Sequence, residues 1–530
     1  MIHSAHLARR LLAALACVAF EVGTATAQRP AHQHAPAERF GAVHFATSCR
    51  DAVTPAFDRS VALLHSFEFA AAITGFGRVL AGDSTCAMAQ WGIALSRWTN
   101  PFIANARPTP LLLAGRDAVE RAASMGGRAT ERERGYIAAV GRLYADFEHV
   151  PQRERIVAYE RAMRDLAARQ PQDTEAAIFH AVALAASAAP DDKSYANQLE
   201  AAGVLEALVL VQPQHPGLVH YLIHSYDVPA LAARGLQAAE RYASVAPSAA
   251  HALHMPSHIF TRVGAWNASI ATNLKSIATA RRDGSIGEAL HASDYAVYAY
   301  LQTRQDRAAR RILDGLPALN ARFDVNAIGG AASGAGGVFA LAAIPARYAL
   351  ERRAWTEAAA LEPKASNWPW TQALTYFARA LGAAHRADVA GAREASDSLR
   401  AIRDRLLAAH ESYWAEQVEI ERIEAVAWLA FAEHRETDAL AGMREASTRE
   451  DATEKNAVTP GPLAPARELL GEMLLAVGQP AEARAAFDST LRREPNRYRA
   501  LDGAMRAATR SSDRAAAARY AIQLKALRQH

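Results

Sequence analysis

The fold is decided by one stretch near the C-terminus, LLGEMLLAVGQPAEARAAFDSTLRREP, residues 469–495. Its small residues, such as Gly471 and Ala483, would let two helices approach closely, and its large residues, such as Phe487, would fill the gap between them. Pro495 would close the second helix, because proline lacks the N–H group that continues the hydrogen-bond ladder. The stretch therefore predicts a helix-turn-helix unit.

The spacing in this unit resembles that of the tetratricopeptide repeat (TPR) family, whose units are about 34 residues long. Looser copies lie near Phe69, Trp266 and Trp355, and almost every other segment has helical periodicity without a strand pattern. The resemblance implies an all-α fold, an α-solenoid of stacked TPR-like repeats that forms a superhelix with a concave groove. The positions that match are Gly471, Leu474, Gly478, Ala483, Phe487, Leu491 and Pro495.

Five segments are predicted along the chain. They are a signal peptide (1–27), a flexible lead-in (28–43), an N-terminal repeat block with a His-rich groove (44–327), a Gly-rich linker (328–337) and a C-terminal repeat block (338–530). The linker sequence, IGGAASGAGG, lacks the Lys-Ser/Thr ending of a phosphate-binding loop and has no predicted strand before it. A linker is therefore favoured over a phosphate site.

The first residues predict an exported protein, periplasmic or extracellular. Arg9 and Arg10 precede the apolar run LLAALACVAF, and small residues follow it. Lipidation at Cys17 is an alternative outcome of export. No later run reaches the roughly 18 apolar residues of a membrane span. Removal of the signal leaves only Cys49 and Cys86, which predicts one disulfide, with two buried thiols as the alternative.

The charge of the chain gives no sign of a nucleic-acid partner. There are 59 basic and 55 acidic residues, a formal net charge of +4, and no long basic block. The partners that we expect are a peptide, a protein or a small molecule in the groove, as the resemblance to TPR scaffolds also implies.

Histidines recur at the repeat period in HYLIHSYD (220–227) and HALHMPSHIF (251–260). His220 and His254 are 34 residues apart, as are His224 and His258. Residues four apart are neighbours on a helix, so each pair would share one face. We expect these faces to line the groove, where neighbouring helices lie about 8–10 Å apart. The expected groove residues are His220, His224, Asp227, His251, His254, His258, Arg262, His291 and Asp294.

Two kinds of site suit such a cluster. Neutral imidazoles with a carboxylate bind Zn, Fe, Mn or Cu. Asp227 or Asp294 would then be a ligand or support one, and Arg262 would aid an anionic substrate. The other possibility is that the imidazoles hold a peptide or small molecule by hydrogen bonds, and the sequence alone assigns no cofactor. The metal ligands in the first case would be His220, His224, His251, His254 and His258.

The primary hypothesis is an exported TPR scaffold that binds its ligand in the groove and has no chemistry of its own. The alternative is a metal-dependent hydrolase or oxidoreductase built on the same groove. No His-Glu-x-x-His, Gly-x-Ser-x-Gly or dinucleotide motif indicates another class of enzyme. Glu421, Glu424, Glu468 and Glu472 lie three or four apart and predict a solvated helix face, with an acidic part of the groove as the alternative.

Overall fold

The computed structural model describes residues 38–103, 107–189, 191–332 and 334–528. The predicted signal peptide, Cys17 and the start of the lead-in lie outside these residues. The chain divides into a short unit, 1–38, and a compact unit, 39–530. The architecture given below is that of the second unit.

All regular secondary structure in the described residues is helical. The first helices are α1 (Thr54–His65), α2 (Phe69–Gly82), α3 (Ala87–Trp98), α4 (Thr109–Ser124), α5 (Glu131–Tyr144), α6 (Gln152–Arg169), α7 (Thr174–Ala186) and α8 (Ala196–Val211). The middle helices are α9 (Pro216–Tyr226), α10 (Leu236–Val245), α11 (Ala250–His254), α12 (Pro256–Arg262), α13 (Trp266–Arg282), α14 (Ile286–Gln302) and α15 (Asp306–Asn320). The last are α16 (Gly334–Glu351), α17 (Trp355–Ala359), α18 (Pro369–His385), α19 (Val389–Ala408), α20 (Ser412–Ala432), α21 (Glu436–Ala452), α22 (Ala466–Ala476), α23 (Pro480–Arg493), α24 (Tyr498–Arg510) and α25 (Arg514–Leu527). Short 3-10 turns span Asp51–Val53 and Ala232–Gly235.

The predicted helix pair near the C-terminus is confirmed as α22 and α23. Gly471 lies so close to the second helix that a Cβ atom there would stand 2.8 Å from the ring of Phe487. The same ring packs against Gly503 of the following helix, where a Cβ atom would stand 2.3 Å from it. Consecutive helices pack in this way along the unit, so the chain folds as an all-α solenoid of TPR-like helix pairs.

The predicted disulfide is confirmed, with Cys49 and Cys86 bonded to each other. It joins the segment before α1 to the start of α3, next to a buried aromatic group. Phe45, Phe57 and Trp91 meet there, with ring centroids 5.3 to 5.6 Å apart. The bond thus links the segment before the first helix pair, α1 and α2, to the helix that follows this pair.

The Gly-rich stretch 328–337 contains the start of a helix. Its last four residues form the first turn of α16, and the backbone N–H of Ala332 donates to Glu288 Oε2 at 3.1 Å. α16 packs against α14, which precedes the stretch. The division of the chain into two blocks at this place stays a prediction. In the described residues no helix combines the length and the apolar composition that crossing a membrane requires.

Candidate metal centre

The predicted histidines lie on four helices. His220 and His224 lie on α9, His251 and His254 on α11, and His258 on α12. The spacing of His254 and His258 predicts one helix through both residues, but the structure has a break between α11 and α12. Pro256 begins α12, and its missing N–H group explains why the hydrogen-bond ladder does not run through. His291 follows on α14.

The structure brings these six histidines together in two groups of three. Cluster A consists of His220, His224 and His251, and cluster B of His254, His258 and His291. Within each cluster the nitrogen atoms that face each other lie within 4.8 Å of one another. The two clusters are adjacent, since the ring centroids of His251 and His254 are 6.0 Å apart. All the rings are buried except that of His224, which is partly exposed.

The hydrogen bonds of cluster B determine which ring nitrogens carry protons. His254 Nδ1 lies 2.7 Å from Asn273 Oδ1, and the amide of Asn273 donates to the Ser269 carbonyl, so we assign the proton to Nδ1. His258 Nδ1 donates to Asp227 Oδ2 at 2.8 Å. Both Nε2 atoms therefore hold lone pairs, although they lie only 3.1 Å apart. Two lone pairs at this distance repel each other unless a cation lies between them.

Cluster A has the same arrangement. His220 Nδ1 donates to the backbone carbonyl of His65 at 2.7 Å, which leaves its Nε2 as an acceptor. That Nε2 lies 3.2 Å from His251 Nε2 and 3.1 Å from His224 Nε2. His251 Nδ1 lies 3.0 Å from Glu288 Oε1. In each cluster two histidines have an outer nitrogen bonded to oxygen, as is usual for histidines that bind a metal through the other nitrogen. Nδ1 of His291 is buried without such a partner.

Burial keeps these imidazoles in the neutral form that binds metals. It lowers the pKa of His254 to about 3, with a further contribution from His258. It also lowers the pKa of His220 and His291 well below the usual value. A neutral imidazole binds a metal without first losing a proton, so the clusters are ready to act as ligands at neutral pH.

Asp227 lies behind cluster B and is held by two cations. Arg262 Nε and Lys455 Nζ each lie 2.9 Å from one of its carboxylate oxygens. Burial alone would raise the pKa of Asp227, but Lys455 and Arg262 outweigh it and keep the pKa well below its usual value. Asp227 is therefore ionised and orients His258. Arg262 binds this carboxylate, whereas the prediction from the sequence was that it would aid an anionic substrate.

Asp294 is not part of the cluster contacts. It lies on the histidine-bearing helix α14, but its Oδ1 pairs with Arg347 Nε at 3.1 Å, and both side chains are fully buried. Among the described residues, no hydrogen bond or ion pair joins Asp294 to a cluster histidine, so no contact supports the prediction that it holds a metal ligand in place. Glu288, one turn before His291 on the same helix, supports His251 instead.

Three residues of the site could not be found by periodicity. Asn273 is on α13, the second helix of its pair, and Lys455 comes from the segment after α21, 228 positions beyond Asp227. Tyr295 is one turn after His291 and places its hydroxyl 3.4 Å from His258 Nδ1. Of the supporting residues that sequence reasoning missed, only Tyr295 and Glu288 had another usable signal, because both lie within one turn of His291 on the same helix.

A small cavity lies between the two clusters. About 320 Å³ of space lies within it, part of which is open to solvent. Histidines of both clusters line it, and most of the remaining wall is apolar, so a molecule inside could touch both clusters at once. The lining residues are Asn100, Ile103, His224, His251, Met255, His258, His291, Ala331, Ala332, Gly336, Ala457 and Val458.

A third buried group contains His65, His215 and Glu175. Glu175 accepts a hydrogen bond from Nε2 of each histidine, both at 2.9 Å. Burial would raise the pKa of Glu175, but His215 and His65 outweigh it and lower the pKa. Tyr221 contacts the other nitrogen of His65. The carboxylate already satisfies both histidines, so this group connects helices and is a weaker metal candidate than clusters A and B.

The four glutamates on the later helices are not a solvated face. Glu468 is buried against Arg497, with Nε to Oε2 at 2.6 Å. Glu472 Oε1 lies 2.8 Å from Nη2 of both Arg353 and Arg499. Burial would raise the pKa of Glu472, but these arginines lower it to about 2. The spacing was visible in the sequence, but the partners come from other helices.

Comparisons with known proteins add little to this description. No protein-family model matches the chain, and no curated protein matches it. Among solved structures, the human IFIT1 dimer with m7Gppp-AAAA has 11% identity and a TM-score of 0.37, covering 84% of this chain and 90% of that one. The APC/C hetero-tetramer Cut9-Hcn1 has 12% identity and a TM-score of 0.32, covering 90% of this chain and 93% of that one. Similarity of this extent says nothing about what the chain binds.

Proposed function

We propose that clusters A and B hold two transition-metal ions and that the protein is an oxidoreductase working at this pair. The observation that carries the proposal is the 3.1 Å separation of the Nε2 atoms of His254 and His258, whose Nδ1 atoms are both anchored to oxygen. A cation bound by both lone pairs removes their repulsion. Each cluster supplies three histidines, which leaves a coordination position free for a reactant.

Copper is the metal that fits the donors and their surroundings best. Imidazole suits Zn, Cu, Fe and Ni, whereas Mn, Mg and Ca prefer oxygen ligands. Two divalent ions bound by six neutral rings would bring four positive charges into a buried site, but two Cu(I) ions bring only two. Asp227 offers little compensation, because Arg262 and Lys455 already neutralise it. Since buried charge is costly, the univalent pair is favoured.

The cavity between the clusters suits dioxygen, a small and apolar reactant. If the clusters hold copper, the two Cu(I) ions would supply the two electrons that, with two protons, reduce one dioxygen molecule to hydrogen peroxide. The buried charge that favours Cu(I) would make the oxidised pair a strong oxidant, so an organic reductant that loses two electrons and two protons would return both ions to Cu(I). The histidines of clusters A and B would hold the two ions close enough for both to serve one reactant.

The scaffold hypothesis makes a different demand on the histidines. A groove that grips a peptide needs accessible imidazoles, but five of these six are buried. Their burial favours the metal centre.

We also propose that the protein acts outside the cytoplasm. The disulfide between Cys49 and Cys86 supports this location, because such bonds persist in oxidising compartments.

Metal content tests the proposal. Protein purified without a tag or chelator and loaded with copper should hold two ions per chain. His254→Ala should lower this to one, and the double variant His220→Ala/His254→Ala should hold none. His149→Ala is the matched control, because that side chain is 81% exposed, and it should keep two.

The metal contents can be compared once circular dichroism shows that the variants are folded. A wild-type protein that binds no metal, or a folded double variant that keeps its metal, overturns the two-metal site. Two bound zinc ions that copper cannot displace would keep the site and refute the oxidoreductase. Oxygen consumption by the copper-loaded protein with an organic reductant then tests the reaction itself.

A further inference from the structure

A large cavity lies on the far side of Lys455 and Arg262 from the histidines. About 880 Å³ of space lies within it, part of which is open to solvent. Its walls are formed by α12, α16, α18, α20, α21, α22 and α23 and by the segment after α21. The residues that matter here are Phe339, Tyr413, Trp414, Gln417, Glu421 and Glu450.

Carboxyl groups without a cationic partner lie at one end of the cavity. Glu421 makes no hydrogen bond or ion pair among the described residues, and Glu424 Oε1 is buried without a partner. Glu450 accepts one hydrogen bond, from the backbone N–H of Ala466 at 3.0 Å. Burial, with the neighbouring carboxylates, raises the pKa of Glu421 and of Glu450 to about 8. Glu421 and Glu450 line the cavity and are partly buried, whereas Glu424 is buried behind them on the same helix as Glu421. A carboxyl that has lost part of its water without gaining a cationic partner is costly, so a cation that reaches these groups would be favoured.

Two arginines that line the cavity, Arg467 and Arg493, bind other groups. Arg467 Nε lies 2.7 Å from Asp451 Oδ2. Arg493 donates to the backbone carbonyls of Asp451 and Thr453, at 3.2 and 3.3 Å. Among the described residues, no cationic side chain therefore pairs with Glu421 or Glu450, and the backbone N–H of Ala466 is the hydrogen-bond partner of Glu450.

The aromatic wall contains a second, independent sign of a ligand. Trp414 is only 6% exposed, it lines the cavity, and its indole N–H has no acceptor. Gln417, one turn along, lines the cavity with an unpartnered Nε2. Trp414 is held in place by stacking on Trp370, with centroids 4.0 Å apart. Buried indole N–H groups usually have an acceptor, so a ligand would supply one here.

We propose that this cavity binds a small organic ammonium ion with an apolar body and a hydrogen-bond acceptor. The ammonium group lies at Glu421 and Glu450, the apolar body packs on Phe339 and Tyr413, and the acceptor takes the N–H of Trp414. A metal ion satisfies only the first of these three features, since an apolar wall offers it no ligands.

The cavity also reaches the metal centre. Lys455 and Arg262 line it, and both contact Asp227, which orients His258. Only one layer of side chains separates the bound ammonium compound from cluster B. If the proposed oxidoreductase function holds, this compound is the organic reductant. Binding itself does not depend on the metal.

Calorimetry with metal-free protein tests the proposal without relying on the metal centre. The probes are phenylalaninol, which has all three features, and 3-phenyl-1-propanol, which lacks the ammonium group. Phenylalaninol should bind at least about tenfold more tightly. Glu421→Gln and Glu450→Gln should each remove most of that difference, while Glu482→Gln, at an exposed pair with Arg444, should leave it unchanged.

Tryptophan fluorescence provides a second measurement. Phenylalaninol should change the emission of the wild-type protein, and Trp414→Phe should lose most of the change. Equal affinity for the amine and the alcohol, or no binding of either to folded protein, overturns the proposal. Tight binding of Ca²⁺ that Glu421→Gln abolishes, without amine binding, also overturns it in favour of a cation site. Neither result bears on the two-metal site, which metal analysis tests separately.

Discussion

Replacement of Asp227 separates its two roles, the stability of the fold and the orientation of His258. Among the residues that the structure describes, this carboxylate is the only anion in direct contact with Lys455 Nζ, and it also binds Arg262. The exposed fractions of the three side chains are 5 to 10%. Loss of one member of a buried ion pair costs about 3–5 kcal/mol, because the other charge is left without compensation. Asp227→Asn should therefore lower the free energy of unfolding of the metal-free protein by about that amount.

The same variant should weaken metal binding through His258. Asparagine can still accept the His258 Nδ1–H, but it lacks the charge that makes the imidazole a stronger ligand. We expect about a tenfold loss of metal affinity in Asp227→Asn and about a hundredfold loss in Asp227→Leu, which has no acceptor. Urea unfolding of metal-free protein and competition with a metal-binding dye measure the two effects separately.

Lys455→Met provides the matched control. Alone it leaves Asp227 paired with Arg262 and should not weaken metal binding. Added to Asp227→Asn it should restore part of the stability, because one uncompensated cation remains where there were two, while metal affinity stays low. The reasoning fails if Asp227→Asn unfolds within about 0.5 kcal/mol of wild type. It also fails if Lys455→Met lowers metal affinity as much as Asp227→Asn does.

Three further predictions concern the solenoid. The pKa of Glu472 is about 2 in the folded protein and 4.5 ordinarily. This difference stabilises the folded state by about 3 kcal/mol above pH 4.5, and the stabilisation is lost as the pH falls toward 2. The free energy of unfolding, measured against pH, should fall less in Glu472→Gln than in the wild-type protein, and an equal fall in both would contradict the prediction. The double variant Cys49→Ser/Cys86→Ser should lose about 4 kcal/mol, from the entropy of a loop 37 residues long, whereas an unchanged urea midpoint would contradict the estimate. Gly471→Ala should lower the free energy of unfolding by about 1–3 kcal/mol, because the added Cβ would meet a phenylalanine ring. Gly77→Ala, at a helical site open to solvent, should raise it by about 1 kcal/mol. Thermal melts that reverse this order would refute the packing argument.

The solenoid was predictable because its signal is local. Gly471 and Phe487 belong to one helix pair, and their spacing is enough to predict how the two helices meet. The histidine pairs were predictable for a similar reason, since a 34-residue period brings equivalent positions of neighbouring units together. His291 was included although its spacing did not fit the period, and the structure places it in cluster B.

The partners of these residues depend on contacts that periodicity does not encode. Lys455 reaches Asp227 from a segment 228 positions later, and Arg353 and Arg499 reach Glu472 from two other helices. The sequence therefore showed acidic side chains at helical spacing but not whether they were solvated, paired or left without a partner. Glu421 and Glu472 look alike in sequence, yet among the described residues Glu421 pairs with no cation and Glu472 pairs with two arginines.

The two histidine clusters follow one construction rule. Cluster A takes His220 and His224, four residues apart on one helix, and adds His251 from the first helix of the next pair. Cluster B takes the pair His254 and His258 and adds His291 from α14 in the same way. Each three-histidine cluster therefore spans two successive helix pairs, and α11 contributes to both. Because stacked units repeat their geometry, using one ligand pattern twice yields two histidine clusters in successive units. If the clusters hold metal ions as proposed, the solenoid would form a two-metal centre without a dedicated binding loop, and the helix packing would set the separation of the ions.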